Sequence, residues 1–138
     1  VASRCLVLQD NCGMDVNLLL YAAWLAHMDQ RLSTEHLARV DAEIIDWREG
    51  VIKPLRALRR QLHENLMASG VRDEIAALEL RAEQQQQDLM FAFFQRTGDL
   101  PQAPRPLREN LVLVAQFAYP QDGVWELAIE GLVTQFPL

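Results

Sequence analysis

The stretch 47–60, WREGVIKPLRALRR, gathers Arg48, Lys53, Arg56, Arg59 and Arg60 against a single acid, Glu49, in a chain whose net charge is −6. Such a local reversal of charge suits three kinds of chemistry: binding an anion, pairing with buried carboxylates, or docking an acidic surface. On a helical wheel with Leu55 at zero, Lys53, Arg56 and Arg60 fall at about 100° to 160°, on the outer face. This basic row is expected to dock an acidic protein partner, or else a phosphate group or an anionic lipid surface. A solvated face balanced by acids of a neighbouring helix is the plain alternative. Arg48 and Arg59 fall within about 40° of the apolar stripe. A guanidinium there needs a carboxylate, because an unpaired buried charge costs several kcal/mol. Asp15, Asp46 and Glu126 are candidate partners. The alternative is a concave site in which Arg48 and Arg59 hold a small anionic ligand, with Asn17, Trp24 and Trp47 beside them.

Catalytic chemistry has no comparable signal. The chain lacks GxSxG, HExxH, CxxC and a glycine-rich phosphate loop, and no carboxylate pair has the aspartate-rich pattern that holds magnesium and diphosphate. No catalytic residue is assigned; a non-enzymatic protein is favoured, with an enzyme of nonstandard site as the third reading. Cys5, Cys12, His27, His36 and His63 show no metal-ligand spacing, so neither a metal nor another cofactor is expected. His27 reads as a cation at a helix C-terminus rather than a general base. On one helix Cys5 and Cys12 would lie about 10 Å apart, too far for a disulfide, and both read as core residues of a reducing compartment. The net charge of −6 and the absence of a nucleic-acid reading motif argue against a nucleic-acid partner. No run of about 18 apolar residues exists to span a membrane. Residues 1–10 do not read as a signal peptide, and the absence of an initiator Met leaves room for residues upstream.

The elements that must position these groups are helical. Residues 14–28, MDVNLLLYAAWLAHM, are apolar nearly all round, as in a helix at the centre of a bundle. Asp15 is its N-cap, and Asn17, Tyr21, Trp24 and Met28 form its one mixed polar and aromatic row. A helix end at 3–12 precedes it, stopped by Gly13. Ser33 or Thr34 caps a helix that runs from about 34 to 67, kinked at Gly50 and Pro54. The competing reading splits it near 46, with Asp46 and Glu49 as a capping box. A second long helix covers 71–97, with Val71, Ile75, Leu78, Ala82, Leu89 and Phe93 on its inner face. The run Gln84 to Gln87 reads as solvated surface. Leu80, Phe91 and Phe94 point elsewhere and suggest a further contact, within the domain or between two copies as a homodimer. The loop TGDLPQAPRP reads as the most mobile segment, and Pro106 suits the first turn of the next helix. Residues 111–119 have strand propensity, but with no partner strand a buried helix is favoured. A turn at 119–123 leads to a last helix, 124–136, with Trp125, Ile129, Leu132 and Phe136 inward.

The segments CLVLQDNCGMDVN (5–17), DVNLLLYAAWLA (15–26) and WREGVIKPLRALRRQL (47–62) together resemble a family of uncharacterised proteobacterial proteins, catalogued as domain of unknown function 2390. The likeness covers most of the chain and is strongest over 5–62. It implies a small α-helical, cytoplasmic, bacterial protein. It brings no activity and no functional residue.

At 138 residues, half of them hydrophobic, the chain can bury the core of one domain. The expectation is a single all-α domain over 1–138, a bundle of five or six helices around the central apolar helix. Its expected role is that of a non-enzymatic interaction or adaptor module, with a small anionic-ligand binding or regulatory module as the alternative.

Overall fold

The computed structural model describes residues 15–97, 100–118 and 125–135. It is all-α, with six α-helices among the described residues. These are α1 (Val16–His27), α2 (Thr34–Trp47), α3 (Lys53–Gln61), α4 (Ser69–Thr97), α5 (Leu107–Ala118) and α6 (Trp125–Gln135). The described chain divides into two compact units, one holding 1–39 and 98–138, the other 40–97. The expected helix at 3–12, the two cysteines, the turn at 119–123 and the side chains of Trp125 and Phe136 lie outside the described residues.

In the first unit the helix ends follow local chemistry. The Asp15 carboxylate accepts the Asn17 N–H at 2.9 Å and starts α1, and the Ser33 hydroxyl accepts the His36 N–H at 3.1 Å and starts α2. The run 111–119 is helical through Ala118, so burial prevails over strand propensity there. Helix α1 packs on α5, and α5 on α6. Leu19, Leu25, Leu111, Ile129 and Leu132 are fully buried between them.

The segment expected to be the most mobile is partly tied down. Arg31 donates its N–H to the Pro101 carbonyl at 2.8 Å, and Ala103 donates to the Asp29 carbonyl at 2.9 Å. Asp29, at φ 54°, turns the chain so that 29–31 can meet 101–103. Asn110, completely buried, fixes the same corner. It accepts from Leu32 N–H at 2.8 Å and donates to the Gln30 and Ala22 carbonyls at 3.0 and 3.2 Å.

In the second unit, the helix from 34 neither breaks at 46 nor runs to 67. Trp47, Ile52 and Lys53 all keep right-handed helical dihedrals, and 48–52 form a π turn in which Lys53 donates to the Arg48 carbonyl. A π turn widens the coil just where Pro54 has no N–H to give. It also takes up about one residue of rotation, roughly 100°. A uniform α-helical wheel therefore misplaces the two sides relative to one another. The helix stops at Gln61, and Asn65 caps a short 3-10 turn, Leu66–Ala68.

Helix α4 runs antiparallel to α3 and buries Ile75, Glu79, Ala82, Gln86, Met90 and Phe93. This seam differs from the expected inner face: Val71 and Leu78 are exposed, and Gln86, from the run read as surface, is 1% exposed. The steps of 4, 3, 4, 4 and 3 residues still describe one stripe, but it passes through an acid and an amide.

Candidate functional site

The arginines of α3 explain why an acid lies in that seam. Arg59 Nε donates to Glu79 Oε2 at 2.5 Å, Arg56 Nε to Glu79 Oε1 at 3.1 Å, and Arg56 Nη2 to Glu83 Oε1 at 3.0 Å. Burial pushes the Glu79 carboxyl up, but the bonds from Arg59 and Arg56 outweigh it and hold the group below its ordinary range. Two cations and two anions thus close a neutral cluster between α3 and α4. Arg56, 18% exposed at its side chain, belongs to this cluster and not to an outer row. Lys53 is exposed and pairs with Glu49 at 2.8 Å, one helical turn away, and Arg60 is exposed. The three residues of the basic row are therefore not presented as one surface.

The arginines expected near the core do meet carboxylates, but different ones from those expected. Arg48 donates to Asp41 at 2.7 Å, and Arg59 binds Glu79. Of the partners expected, Asp15 and Glu126 belong to the first unit and Asp46 to the second. The other members of the anionic-ligand set divide likewise: Asn17 and Trp24 lie in the first unit, and Trp47, Arg48 and Arg59 in the second. In α1, Asn17 and Tyr21 are buried and Trp24 is half-buried. The Tyr21 hydroxyl and His36 Nε2 are 2.7 Å apart, with the two rings stacked at 5.8 Å. Burial raises the Tyr21 pKa, and burial with the nearby Arg39 lowers that of His36, so both are neutral at pH 7. The imidazole tautomer sets which of the two donates.

A concave feature of the second unit lies beside the Glu79 seam. Trp47, Val51 and Leu55, at steps of four, form one wall, and Leu78, Arg81, Ala82, Gln85 and Leu89 of α4 form the other. The groove holds about 600 Å³. The Trp47 indole is fixed by its N–H, which donates to the Ala82 carbonyl at 2.8 Å. Arg81 is exposed on the groove wall. It is the one arginine or lysine of this unit without a hydrogen bond or ion pair among the described residues. Of these residues only Trp47 carried an expected site role. Leu78 and Leu89 read as core because helical spacing aligns them with Ile75, Ala82 and Phe93, and Arg81 gives no signal of its own in the sequence. No group of three His, Cys, Asp or Glu suited to a metal occurs among the described residues. No helix in them is long and apolar enough to cross a membrane.

Fold and groove together define an all-α protein with a helical hairpin whose apolar side is furnished with a cation. The family described as protein of unknown function (DUF2390) matches residues 1–90, about two thirds of the chain, and the chain belongs to that family. The match includes the whole of α1 to α3 and both walls of the groove. No curated protein and no solved structure matches the chain.

Proposed function

We propose that this protein is a non-enzymatic interaction module that receives a helix of a protein partner in the groove between α3 and α4. The observation that carries this reading is Arg81, an exposed guanidinium without a carboxylate, set in a wall otherwise made of Leu78, Ala82, Gln85 and Leu89. The complementary occupant is an amphipathic helix with apolar residues at i, i+3 or i+4, and i+7 and an acid that reaches Arg81. The walls span 47–55 and 78–89, so about three turns suffice. The acidic partner expected from the sequence is thus retained, with the apolar groove in place of the basic row. Arg56 is already committed to Glu79 and Glu83, which speaks against the row as a docking surface. No observation favours the anionic-ligand reading, since Arg48 and Arg59 both hold carboxylates of their own chain.

The test is capture by the tagged chain, comparing wild type with Arg81→Glu, Leu78→Glu and Arg60→Glu. The groove reading expects the first two to lose the captured partner and the third to keep it. Equal capture by all four would remove the groove, and loss with Arg60→Glu alone would restore the basic row.

A further inference from the structure

On α4 the residues Glu74, Arg81 and Asp88 follow one another at intervals of seven and so lie on one line beside the groove wall. All three are exposed, and none has an ion pair or hydrogen bond among the described residues that would use its charge. Along the axis Arg81 and Asp88 are about 10 Å apart, beyond each other's reach within one helix. The line therefore offers acid, base and acid to something outside the hairpin.

That pattern is complementary to itself when reversed. An α4 helix laid antiparallel on a second α4, with the crossing between Gln84 and Gln85, sets Arg81 against Asp88 of the second copy. By symmetry it also sets Asp88 against Arg81 of that copy. The same register brings Leu78 toward Phe91 of the second copy and Leu80 toward its Leu89. Leu78, Leu80 and Phe91 are among the exposed large hydrophobic residues. Ala77 and Ala92 oppose each other, which lets the backbones approach. The glutamines at the crossing both donate and accept, so each can satisfy its own copy. A second copy thus supplies the apolar side chains and the carboxylate that the groove asks for, through an isologous contact of the usual twofold kind. Two hairpins joined in this way make a four-helix bundle, the arrangement in which α3 and α4 bury the side left open in one chain.

We infer that the occupant of the groove is a second copy of this chain, held antiparallel along α4 by reciprocal Arg81–Asp88 pairs across a Gln84/Gln85 crossing. This rests on the groove reading above. It also narrows the homodimer expected from Leu80, Phe91 and Phe94 to one register, and it does not depend on Phe94.

The experiment is sedimentation equilibrium of the full chain as wild type, Arg81→Asp, Asp88→Arg and the double exchange, with helicity followed by circular dichroism. Wild type is expected to be dimeric. Each single exchange should weaken the dimer by about tenfold or more, and the double exchange should recover it to within about threefold. A monomeric wild type overturns the inference, as does a dimer indifferent to the single exchanges or not recovered by the double one. Gln85→Glu, which sets two like charges at the crossing, is a second probe and should dissociate the dimer with helicity unchanged; a dimer that survives it also overturns the inference. A monomeric wild type that still captures another protein through Leu78 and Arg81 would sink the second copy and leave the groove reading standing. Loss of both would sink the two together.

Discussion

The two units bury polar groups in opposite ways. In the first, Asn110 gives its whole side chain to main-chain partners, and Tyr21 and His36 satisfy each other as neutral groups. Neither arrangement relies on an ion pair. In the second, the equivalent central position is Glu79, which stays ionised because Arg56 and Arg59 both reach it. Neutral bonds to a loop and two helices tie distant parts of the sequence into a closed core. An ion cluster across one helix pair holds only that pair, and it leaves the other side of the hairpin free to present Trp47, Val51 and Leu55. Buried polarity of the first kind specifies a fold, and that of the second kind fixes a pair of helices while sparing a face.

The strongest way to break this contrast is Asn110→Asp. It turns a donor into a carboxylate facing the Ala22 and Gln30 carbonyls. Urea titration at pH 7 should show a loss of about 4 kcal/mol or more in the first unit. The new carboxyl should have a raised pKa in the folded state. Its penalty should therefore shrink as pH falls toward the ordinary aspartate value of about 3.9.

Next comes Glu79→Ala, expected to destabilise the second unit by about 2–3 kcal/mol. This is less than for a fully buried pair, because the Arg59 side chain is 34% exposed and keeps some water. The pH sign is opposite here. The folded pKa of Glu79 is depressed, so its stabilisation is full above 4.5 and is lost as pH falls below that value. Acid should thus partly rescue the Asn110→Asp variant while weakening the wild-type second unit, and hydrogen exchange resolved by segment separates the two.

Tyr21→Phe removes the hydroxyl that shares a hydrogen bond with His36 Nε2. A loss of about 1–2 kcal/mol is expected at pH 7 by thermal melting. In the wild type, His36 has a depressed pKa, so the first unit should keep full stability above 6.5 and lose some of it as pH falls further. The smallest effect is reserved for Lys53→Ala. The Lys53–Glu49 pair is exposed within one turn, and its removal should change stability by less than ~0.5 kcal/mol.

What could be read from the sequence was mostly local. Asp15 and Ser33 as caps, the apolar central helix and the helical character of 111–118 follow from residue type and spacing. The all-α class follows from the same signals. What escaped was set by tertiary partners. The acid that answers Arg59 lies 20 residues away on another helix, and no pattern around Arg59 names it. Asn110 stands before an apolar run and looks like a surface amide, yet its three bonds span some 80 residues of sequence. The groove was hidden for a related reason. Hydrophobicity placed Leu78 in the core, whereas the true seam passes through Glu79 and Gln86. The wheel also failed on α3, where the aliphatic residues do not mark the packed face: Leu58 is exposed, while Arg56 turns toward Glu79 and Glu83 of α4.

Counted in residues, that π turn is one amino acid more than an α-helix of the same rise contains. The surplus lies within Arg48–Ile52, next to Gly50, where an added Cβ would meet nothing within 4 Å. A single-residue deletion there would let the turn close to an α-helix while Trp47 on one side and Leu55 on the other keep their relative facing. Relatives one residue shorter between Trp47 and Lys53 should thus present the same groove, whereas an α-helical segment of unchanged length would swing Trp47 by about 100° against Leu55. In this chain the π turn carries a surplus residue without moving the indole.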